Sequence, residues 1–129
     1  MRKIQISSCL LALLTVAGCG QTGTPSVSDA VAACAACHTF NDAGATLSGP
    51  NLYGIVGERT GSRSGFAYSS AMRDSGVVWT PEALDAFLLA PAKFMPGNRM
   101  AFFGEVDAAR RASIIEYMQA LSPTAKQEN

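Results

Sequence analysis

The feature that most restricts the fold of this chain is its middle, residues 39–76, which shows neither helical nor strand periodicity. Turn-forming residues interrupt this stretch at short intervals. They include the run Gly-Pro-Asn at 49–51 and the further glycines Gly44, Gly54, Gly57, Gly61, Gly65 and Gly76. An irregular stretch of this length is uncommon inside a compact domain. The sequence therefore argues against a simple helical bundle, unless something other than regular secondary structure organises the middle of the chain.

Short helices are predicted on both sides of this stretch and once within it, from capping residues and apolar spacing. They cover residues 29–36, 69–73, 81–90 and about 107–121, and a Pro/Gly loop is predicted over residues 91–104. Thr80 is a suitable cap for the third helix, and a proline follows it where a missing N–H costs nothing. No strand pair is convincing, so an all-α fold is expected.

The last of these helices has the clearest amphipathic pattern. Its apolar face is predicted from residues spaced at three and four positions, and these are Ile114, Tyr117, Met118 and Leu121. Ser122-Pro123 would end the helix, since proline cannot continue it.

The first 18 residues carry the marks of an export signal. Arg2 and Lys3 precede an apolar run at 4–17 that is too short to span a bilayer. The following VAGC, which ends at Cys19, resembles the bacterial lipobox, whose cysteine becomes the lipidated first residue; an ordinary signal peptide cut nearby is the alternative. We therefore expect a lipoprotein signal at 1–18, a lipidated cysteine and flexible linker at 19–27, a folded domain at 28–122 and a tail at 123–129.

Charge and cysteine usage narrow the functional classes. Loss of Arg2 and Lys3 with the signal would leave eight basic side chains against ten acidic ones, a net charge of −2. Such a chain offers no basic stripe to neutralise phosphates, so a nucleic-acid partner is not expected. The exported chain would keep three cysteines, and this odd number is explained if Cys19 carries lipid while Cys34 and Cys37 act as a pair.

The sequence CAACH, from Cys34 to His38, is the C-x-x-C-H pattern of covalent haem attachment. Two thiols about one helical turn apart can bond the two vinyl groups of a haem, and the adjacent histidine can offer a nitrogen to the iron. A structural disulfide, half a zinc site or a thioredoxin-like dithiol are the alternatives. Zinc would need two further Cys or His ligands, and His38 is the only histidine. We therefore predict one covalent haem c, which would also enlarge the modest core of a small domain.

The iron then needs a sixth ligand or an open site. Because no second histidine exists, methionine is the natural candidate. Met118 lies on the apolar face of the last predicted helix and Met72 lies on or beside a short helix, so both are expected to serve packing. Met95 and Met100 lie in the predicted Pro/Gly loop, which could place a thioether on the side of the iron opposite the histidine.

Taken together, these motifs resemble those of class I cytochromes c, similar to the mitochondrial and bacterial c2 proteins. That family follows its attachment motif with Gly-Pro-x-Leu and later with Pro-Gly-x-x-Met-x-Phe. The chain has GPNL at 49–52 and PGNRMAF at 96–102, with GERTG at 57–61, GFAY at 65–68 and Trp79 at family-like spacing. The similarity covers roughly residues 28–121. It implies a small cytochrome c fold, in which three to five short helices and long loops wrap around one haem.

The resemblance also implies roles for individual residues. His38 and Met100 would be the axial ligands of the iron, whereas Met95 would belong to the core. The carbonyl of Pro50 would accept a hydrogen bond from the other ring nitrogen of His38 and so fix the imidazole. The residues expected to pack on the haem or to hydrogen-bond a buried propionate are Leu52, Tyr68, Trp79, Phe87 and Leu88.

Some positions depart from the family pattern. Phe87 stands where many relatives have a tyrosine whose hydroxyl approaches the methionine sulfur. Glu58 stands where the mitochondrial proteins have an arginine near a propionate, and Arg59 is a candidate to replace that arginine. The ring of lysines that surrounds the haem edge in relatives is reduced here, with Lys93 and Arg99 as the nearest matches.

The resemblance implies an electron carrier rather than an enzyme, because an iron held by two axial side chains has no free site and can only cycle between Fe(III) and Fe(II). Its partners would be membrane redox complexes of the quinol:cytochrome c oxidoreductase, terminal oxidase or photosynthetic reaction-centre type. It would lie on the periplasmic side of a bacterial membrane, held by lipid, or be soluble in the periplasm if unlipidated. The alternatives are a haem enzyme or gas sensor with a displaceable methionine, and a relay module within a larger complex.

Overall fold

The computed structural model describes residues 27–122, and the predicted signal, Cys19, most of its linker and the C-terminal tail lie outside them. The described residues form five α-helices and one 3₁₀ turn. These are α1 (Val27–Ala30), the 3₁₀ turn (Cys34–Ala36), α2 (Ser70–Asp74), α3 (Pro81–Leu89), α4 (Pro91–Phe94) and α5 (Ala108–Ala120). β-Pairing among them is limited to a single bridge between Arg59 and Val78. The all-α prediction is confirmed, and no described helix has the length and apolarity needed to cross a membrane.

The prediction of one continuous first helix over residues 29–36 is wrong. The backbone N–H of Ala32 donates to Asp29 at 3.3 Å and that of Cys34 donates to Val31 at 2.9 Å, so these bonds span three residues rather than four. Bonds of this spacing wind the backbone more tightly and rarely persist beyond a few residues. The segment therefore passes from α1 through turns into the 3₁₀ turn that carries the first cysteine.

The capping residues account for the helices that sequence predicts correctly. The side chain of Ser69 accepts from the N–H of Met72 at the start of α2. Thr80 does the same for Ala83 at the start of α3, and the Asp107 carboxylate accepts two N–H groups at the start of α5. Each cap satisfies donors that have no partner inside the helix. Observed and predicted boundaries agree within one residue at every one of these starts.

The predicted loop over residues 91–104 is partly wrong, because its first residues form the one-turn helix α4. Pro91 has no N–H to continue α3, yet its fixed φ suits the first position of a new helix. The Ala90 carbonyl accepts from Lys93 at 3.0 Å and from Phe94 at 2.9 Å. One proline therefore both ends α3 and begins α4.

The apolar core lies where α1 and α3 pack against α5, with α4 packed against α3. Its buried members are Ala30, Val31, Ile55, Trp79, Leu84, Phe87, Leu88, Met95, Ile114, Ile115 and Met118. Ile114 and Met118 of α5 are buried as predicted, whereas Tyr117 of α5 and Leu121, which directly follows the helix, are half-buried. Ile115 is buried as well, so the buried face of α5 is wider than the predicted stripe.

The irregular middle of the chain is held by backbone hydrogen bonds between distant residues. Leu52 donates to Thr39 at 2.8 Å, and Thr60 donates to Val77 at 2.9 Å. Trp79 donates to Glu58 at 2.8 Å. Because buried backbone groups need such partners, these bonds give the loops a defined path without helices or sheets.

Candidate functional site

Cys34 and Cys37 lie on one turn of backbone, as the attachment motif requires. The Cys34 carbonyl accepts from the N–H of Cys37 at 3.0 Å and from that of His38 at 2.9 Å. Both cysteines are free thiols rather than a disulfide, Cys34 half-buried and Cys37 exposed. Burial raises the pKa of the Cys34 thiol. Among residues 27–122, no group of three or more His, Cys, Asp or Glu side chains lies close enough together to hold a metal ion.

The His38 imidazole is oriented by a backbone carbonyl. Its Nδ1 lies 2.7 Å from the carbonyl oxygen of Pro50, so the predicted hydrogen bond is confirmed. Since a carbonyl oxygen can only accept, Nδ1 carries the proton and the lone pair of the neutral ring is at Nε2. Burial lowers the pKa of His38, which favours this neutral form. The Nε2 lone pair of the neutral ring is therefore available to bind a metal ion.

Gly49 explains why the imidazole can lie so close to the loop that carries Pro50. A Cβ built on Gly49 would lie 2.4 Å from Cε1 of His38 and 2.7 Å from its Nδ1, far inside van der Waals contact. The Gly49 N–H donates to the Cys37 carbonyl at 2.8 Å. The glycine therefore permits a close packing of ring against backbone that any side chain would prevent.

Met100 is half-buried against the core, in the loop between α4 and α5. Its N–H donates to the side-chain oxygen of Asn98 at 3.0 Å. The Asn98 amide in turn donates to the carbonyls of Pro91 and Met95, both at 2.9 Å. Met95 is only 4% exposed, which confirms that it belongs to the core. Sequence reasoning missed the organising role of Asn98, although an asparagine after Pro-Gly is a typical turn residue.

An aromatic cluster, called the aromatic wall below, consists of Trp79, Phe87 of α3 and Phe94 of α4. The rings of Trp79 and Phe87 meet edge to face with centroids 5.0 Å apart, and Phe87 meets Phe94 at 6.1 Å. Leu88 is buried beside them, and Leu52 is half-buried against the same cluster. These residues form an apolar cluster of the kind that packs around a large flat apolar cofactor.

Tyr68 and Trp79 each carry one polar side-chain atom, a phenol oxygen and an indole nitrogen. Tyr68 is 9% exposed and Trp79 is 6% exposed, yet neither the phenol oxygen nor the indole nitrogen hydrogen-bonds to any residue that the structure describes. No fully buried side-chain N or O atom in this part of the chain lacks a partner, so both atoms must border accessible space. Accessible donors on otherwise buried side chains suit the carboxylates of a haem. Tyr68 also lines an open cleft of about 600 Å³ with Ala71, Gly97 and Arg99.

The donor set as a whole fits a covalent haem. Two free thiols on one turn, an imidazole whose Nδ1 is already hydrogen-bonded and a thioether in the loop between α4 and α5 are the groups that such a cofactor uses. The phenol and indole donors suit its propionates, and the aromatic wall, with Leu88 beside it, suits its apolar ring. In the structure, His38 is hydrogen-bonded to Pro50. Trp79 contacts Phe87.

Comparison with known proteins agrees with this fit. The sequence model of the cytochrome c family matches residues 28–122. Cytochrome c of Trypanosoma brucei brucei is 53% identical over 73 residues, which make up 57% of this chain and 78% of that protein. A cytochrome c homolog of Bradyrhizobium diazoefficiens is 45% identical over 94 residues, or 72% of this chain and 51% of the relative. This chain therefore spans about half the length of the second relative.

A solved structure is also similar. Cytochrome cH from Methylobacterium extorquens superposes with a TM-score of 0.69 at 35% sequence identity, and the match covers 76% of this chain and 99% of that one. The similarity therefore includes the arrangement of helices and loops as well as the sequence motifs.

Proposed function

The chain belongs to the cytochrome c family, and from that premise we propose that it shuttles single electrons between membrane redox complexes, with His38 and Met100 as the axial ligands of its iron. Membership implies a haem protein of electron transfer that binds one haem c covalently, and Cys34 and Cys37 fit the attachment motif. The haem supplies one-electron chemistry, in which iron alternates between the ferric and ferrous states.

The observation that carries the proposed ligation is the hydrogen bond from His38 Nδ1 to the Pro50 carbonyl, at 2.7 Å. It fixes the tautomer and the plane of the ring, and it increases the basicity of Nε2 toward a metal. Met100 supports the second half of the proposal, since Asn98 holds its backbone and the loop presents its thioether half-buried against the core. A thioether ligand favours the ferrous state and so raises the potential.

The residues around the site support electron transfer rather than substrate chemistry. Phe87 and Leu88 are buried and offer no proton donor or acceptor. Their role in this proposal is to exclude water and to keep the surroundings of the iron rigid. Because neither axial side chain has to leave during the reaction, little of the protein must rearrange when an electron arrives.

The ligation is tested by replacing each methionine of the loop with leucine, which conserves apolar volume. Ferric wild-type protein should show the weak charge-transfer band near the red end of the visible spectrum that reports methionine–iron ligation. Met100→Leu should lose this band and gain high-spin features, whereas Met95→Leu, a matched change in the core, should keep it. High-spin features in the wild type, or a band that survives Met100→Leu, would contradict the proposal and favour an open haem site.

The docking surface is proposed at the loop from Lys93 to Phe102. Lys93 is exposed on α4, while Arg99 donates to the carbonyl of Ala67. Phe103, which follows the loop, is fully exposed. This docking surface therefore offers little positive charge for the long-range attraction of a partner.

Lipidation at Cys19 would compensate for weak steering, because a tether confines carrier and partners to one membrane surface. The test compares the lipidated protein in isolated membranes with a form that has Cys19→Ser and an ordinary cleavable signal peptide in place of residues 1–18, supplied at equal bulk concentration. The tethered form should exchange electrons with the membrane complexes several-fold faster. Equal electron-transfer rates for the two forms would contradict the proposed role of the anchor. If the protein with its natural signal were found in the aqueous fraction instead of the membranes, the lipid anchor itself would be contradicted.

A further inference from the structure

Arg111 of α5 is a buried cation that the proposed ligation does not use. The residue is only 7% exposed, although a guanidinium always carries a positive charge. Its Nε donates to Oδ1 of Asp85 on α3 at 2.7 Å. Its Nη1 donates to the carbonyls of Glu105 and Val106, at 2.8 and 3.0 Å. One side chain therefore joins α3 and α5 to the end of the loop between α4 and α5, residues 95–107, called the Met100 loop below.

The same end of the Met100 loop is also fixed through its backbone. The N–H of Glu105 donates to the Leu88 carbonyl at 2.8 Å, in the last turn of α3. Gly104 has a φ of +117°, and a Cβ built on it would lie far inside van der Waals contact with the carbonyl oxygen of Leu89. Only a glycine allows the chain to pass so close to α3 in this conformation. The loop is therefore pressed against α3 where Arg111 binds it.

The front of the Met100 loop is held by a different side chain. The Asn98 amide donates to two carbonyls at and after α4, and its side-chain oxygen accepts from the Met100 N–H. Met100 therefore lies on a short stretch of chain, residues 99–103, that is fixed on both sides. Fixing both ends of a short stretch leaves few backbone conformations available to it. The contacts at the two ends therefore limit the positions that the thioether can take.

We propose that Arg111, with Asp85 as its partner, is a positioning residue that keeps Met100 on the iron by fixing the far end of the Met100 loop. The proposal rests on the axial ligation proposed above. A buried ion pair adds little net stability compared with apolar residues of similar volume, but this guanidinium holds three acceptors in one fixed geometry. Without it, residues 104–106 would gain conformations in which the thioether lies away from the iron, and the population without this ligand would rise.

The test is a titration of ferric holoprotein with imidazole, which competes with Met100 for the iron. A sulfur–iron bond breaks and a nitrogen–iron bond forms, with no change of oxidation state, and the red-end methionine band is lost. The apparent Kd of imidazole therefore reports how firmly the thioether is held. Arg111→Gln should lower this Kd roughly tenfold, because it removes charge-assisted hydrogen bonds to the loop. Arg111→Lys keeps the charge but not the planar fork, so it should recover only part of the change.

Two control variants separate positioning from a general loss of stability or charge. Ile114→Ala removes a buried core side chain of the same helix. It should lower the free energy of unfolding and yet change the apparent Kd of imidazole less than about twofold. Arg110→Gln removes the neighbouring positive charge, whose side chain is 54% exposed and pairs with the Glu105 carboxylate at 3.1 Å. It should also change the Kd less than about twofold.

Asp85→Asn provides an independent measurement should Arg111→Gln fail to fold. It keeps an acceptor for the Arg111 Nε but removes the opposite charge, so it should lower the apparent Kd of imidazole by less than Arg111→Gln does, roughly twofold to fivefold. An unchanged Kd in folded Arg111→Gln or Asp85→Asn, or an equal decrease in Ile114→Ala, would overturn the positioning role. In a protein with the red-end methionine band, those results would leave the proposed ligation intact. Absence of the band from the wild type would contradict the ligation, and with it this proposal.

Discussion

The irregular region at 39–69 and the helical region at 70–122 are stabilised in different ways. The helical region contributes most of the buried apolar side chains, among them Leu84, Phe87, Ile114 and Met118. The irregular region contributes Ile55 and is held mainly by hydrogen bonds such as Leu52 to Thr39 and Thr60 to Val77. Apolar packing therefore stabilises the helical region, whereas the irregular region relies on hydrogen bonds, and we expect it to rely also on the haem attached beside it.

The largest expected effect comes from removing the attachment. Replacing both Cys34 and Cys37 with alanine should abolish pigment that resists acid–acetone extraction. The backbone amides of Leu52 and Thr60 should then lose protection from hydrogen exchange by about a hundredfold or more, because the irregular region has little core of its own. Cys9→Ser, in the predicted signal, is the control and should change neither readout. Persistent protection at Leu52 and Thr60 would show that the irregular region is stable without attachment.

A truncation in the helical core should have the next largest effect. Ile114→Ala removes a buried side chain of α5 and should lower the free energy of unfolding of the holoprotein by about 2–5 kcal/mol. Val106→Ala, at an 84% exposed residue, should change it by about 0.5 kcal/mol or less. Denaturant titration followed by circular dichroism measures both. If Ile114→Ala cost no more than Val106→Ala, the helical region would not be the stabilising one.

A smaller effect is expected at the contact that joins the irregular region to the imidazole. Gly49→Ala would place a methyl group 2.4 Å from Cε1 of His38 and should cost about 1–3 kcal/mol of unfolding free energy. It should also perturb the spectrum of the iron. Gly57→Ala is the control, since its φ of +89° is strained but a Cβ there meets no atom within 4 Å. That variant should cost about 1 kcal/mol and leave the spectrum unchanged. Similar spectra for both variants would contradict the packing argument.

The smallest effect concerns pH and the start of α3. The pKa of Glu82 lies below its ordinary value of 4.5, mainly because its own backbone N–H and then the Thr80 hydroxyl bond the carboxylate. A lowered folded pKa gives stability that is present above the unfolded pKa and is lost as pH falls through the folded one. Glu82→Gln should therefore lower Tm slightly at neutral pH, and the difference should vanish in acid. Glu116→Gln removes the same charge elsewhere and is the control. If the Tm difference between Glu82→Gln and the wild type persisted in acid, the lowered pKa of Glu82 would not be its cause.

Much of the helical region was predictable from local chemistry. Ser69, Thr80 and Asp107 are good caps, and each begins a helix within one residue of the prediction. The spacing of the C-x-x-C-H motif predicts the turn that carries the two thiols. The hydrogen bond from His38 to the Pro50 carbonyl was predicted from the family resemblance. These features depend on residues close in sequence or on a motif of known geometry.

The remaining features depend on contacts that sequence does not display. The break in the first helix follows from how residues 31–34 turn between α1 and the thiols, and α4 arises because Pro91 both ends and begins a helix. The predicted lipid at Cys19 stays a prediction, since it lies outside the described residues.

The packing of α1 on α5 has a consequence for biosynthesis. The buried Ala30 and Val31 belong to the same cluster as Ile114 and Met118, so the core cannot be completed until nearly the whole chain has been made. A four-residue helix has no stability of its own in water, and contacts so distant in sequence form late because of their loop-closure cost. Because Cys34 packs against this same cluster, the surroundings of the first thiol are complete only after α5 has docked on α1.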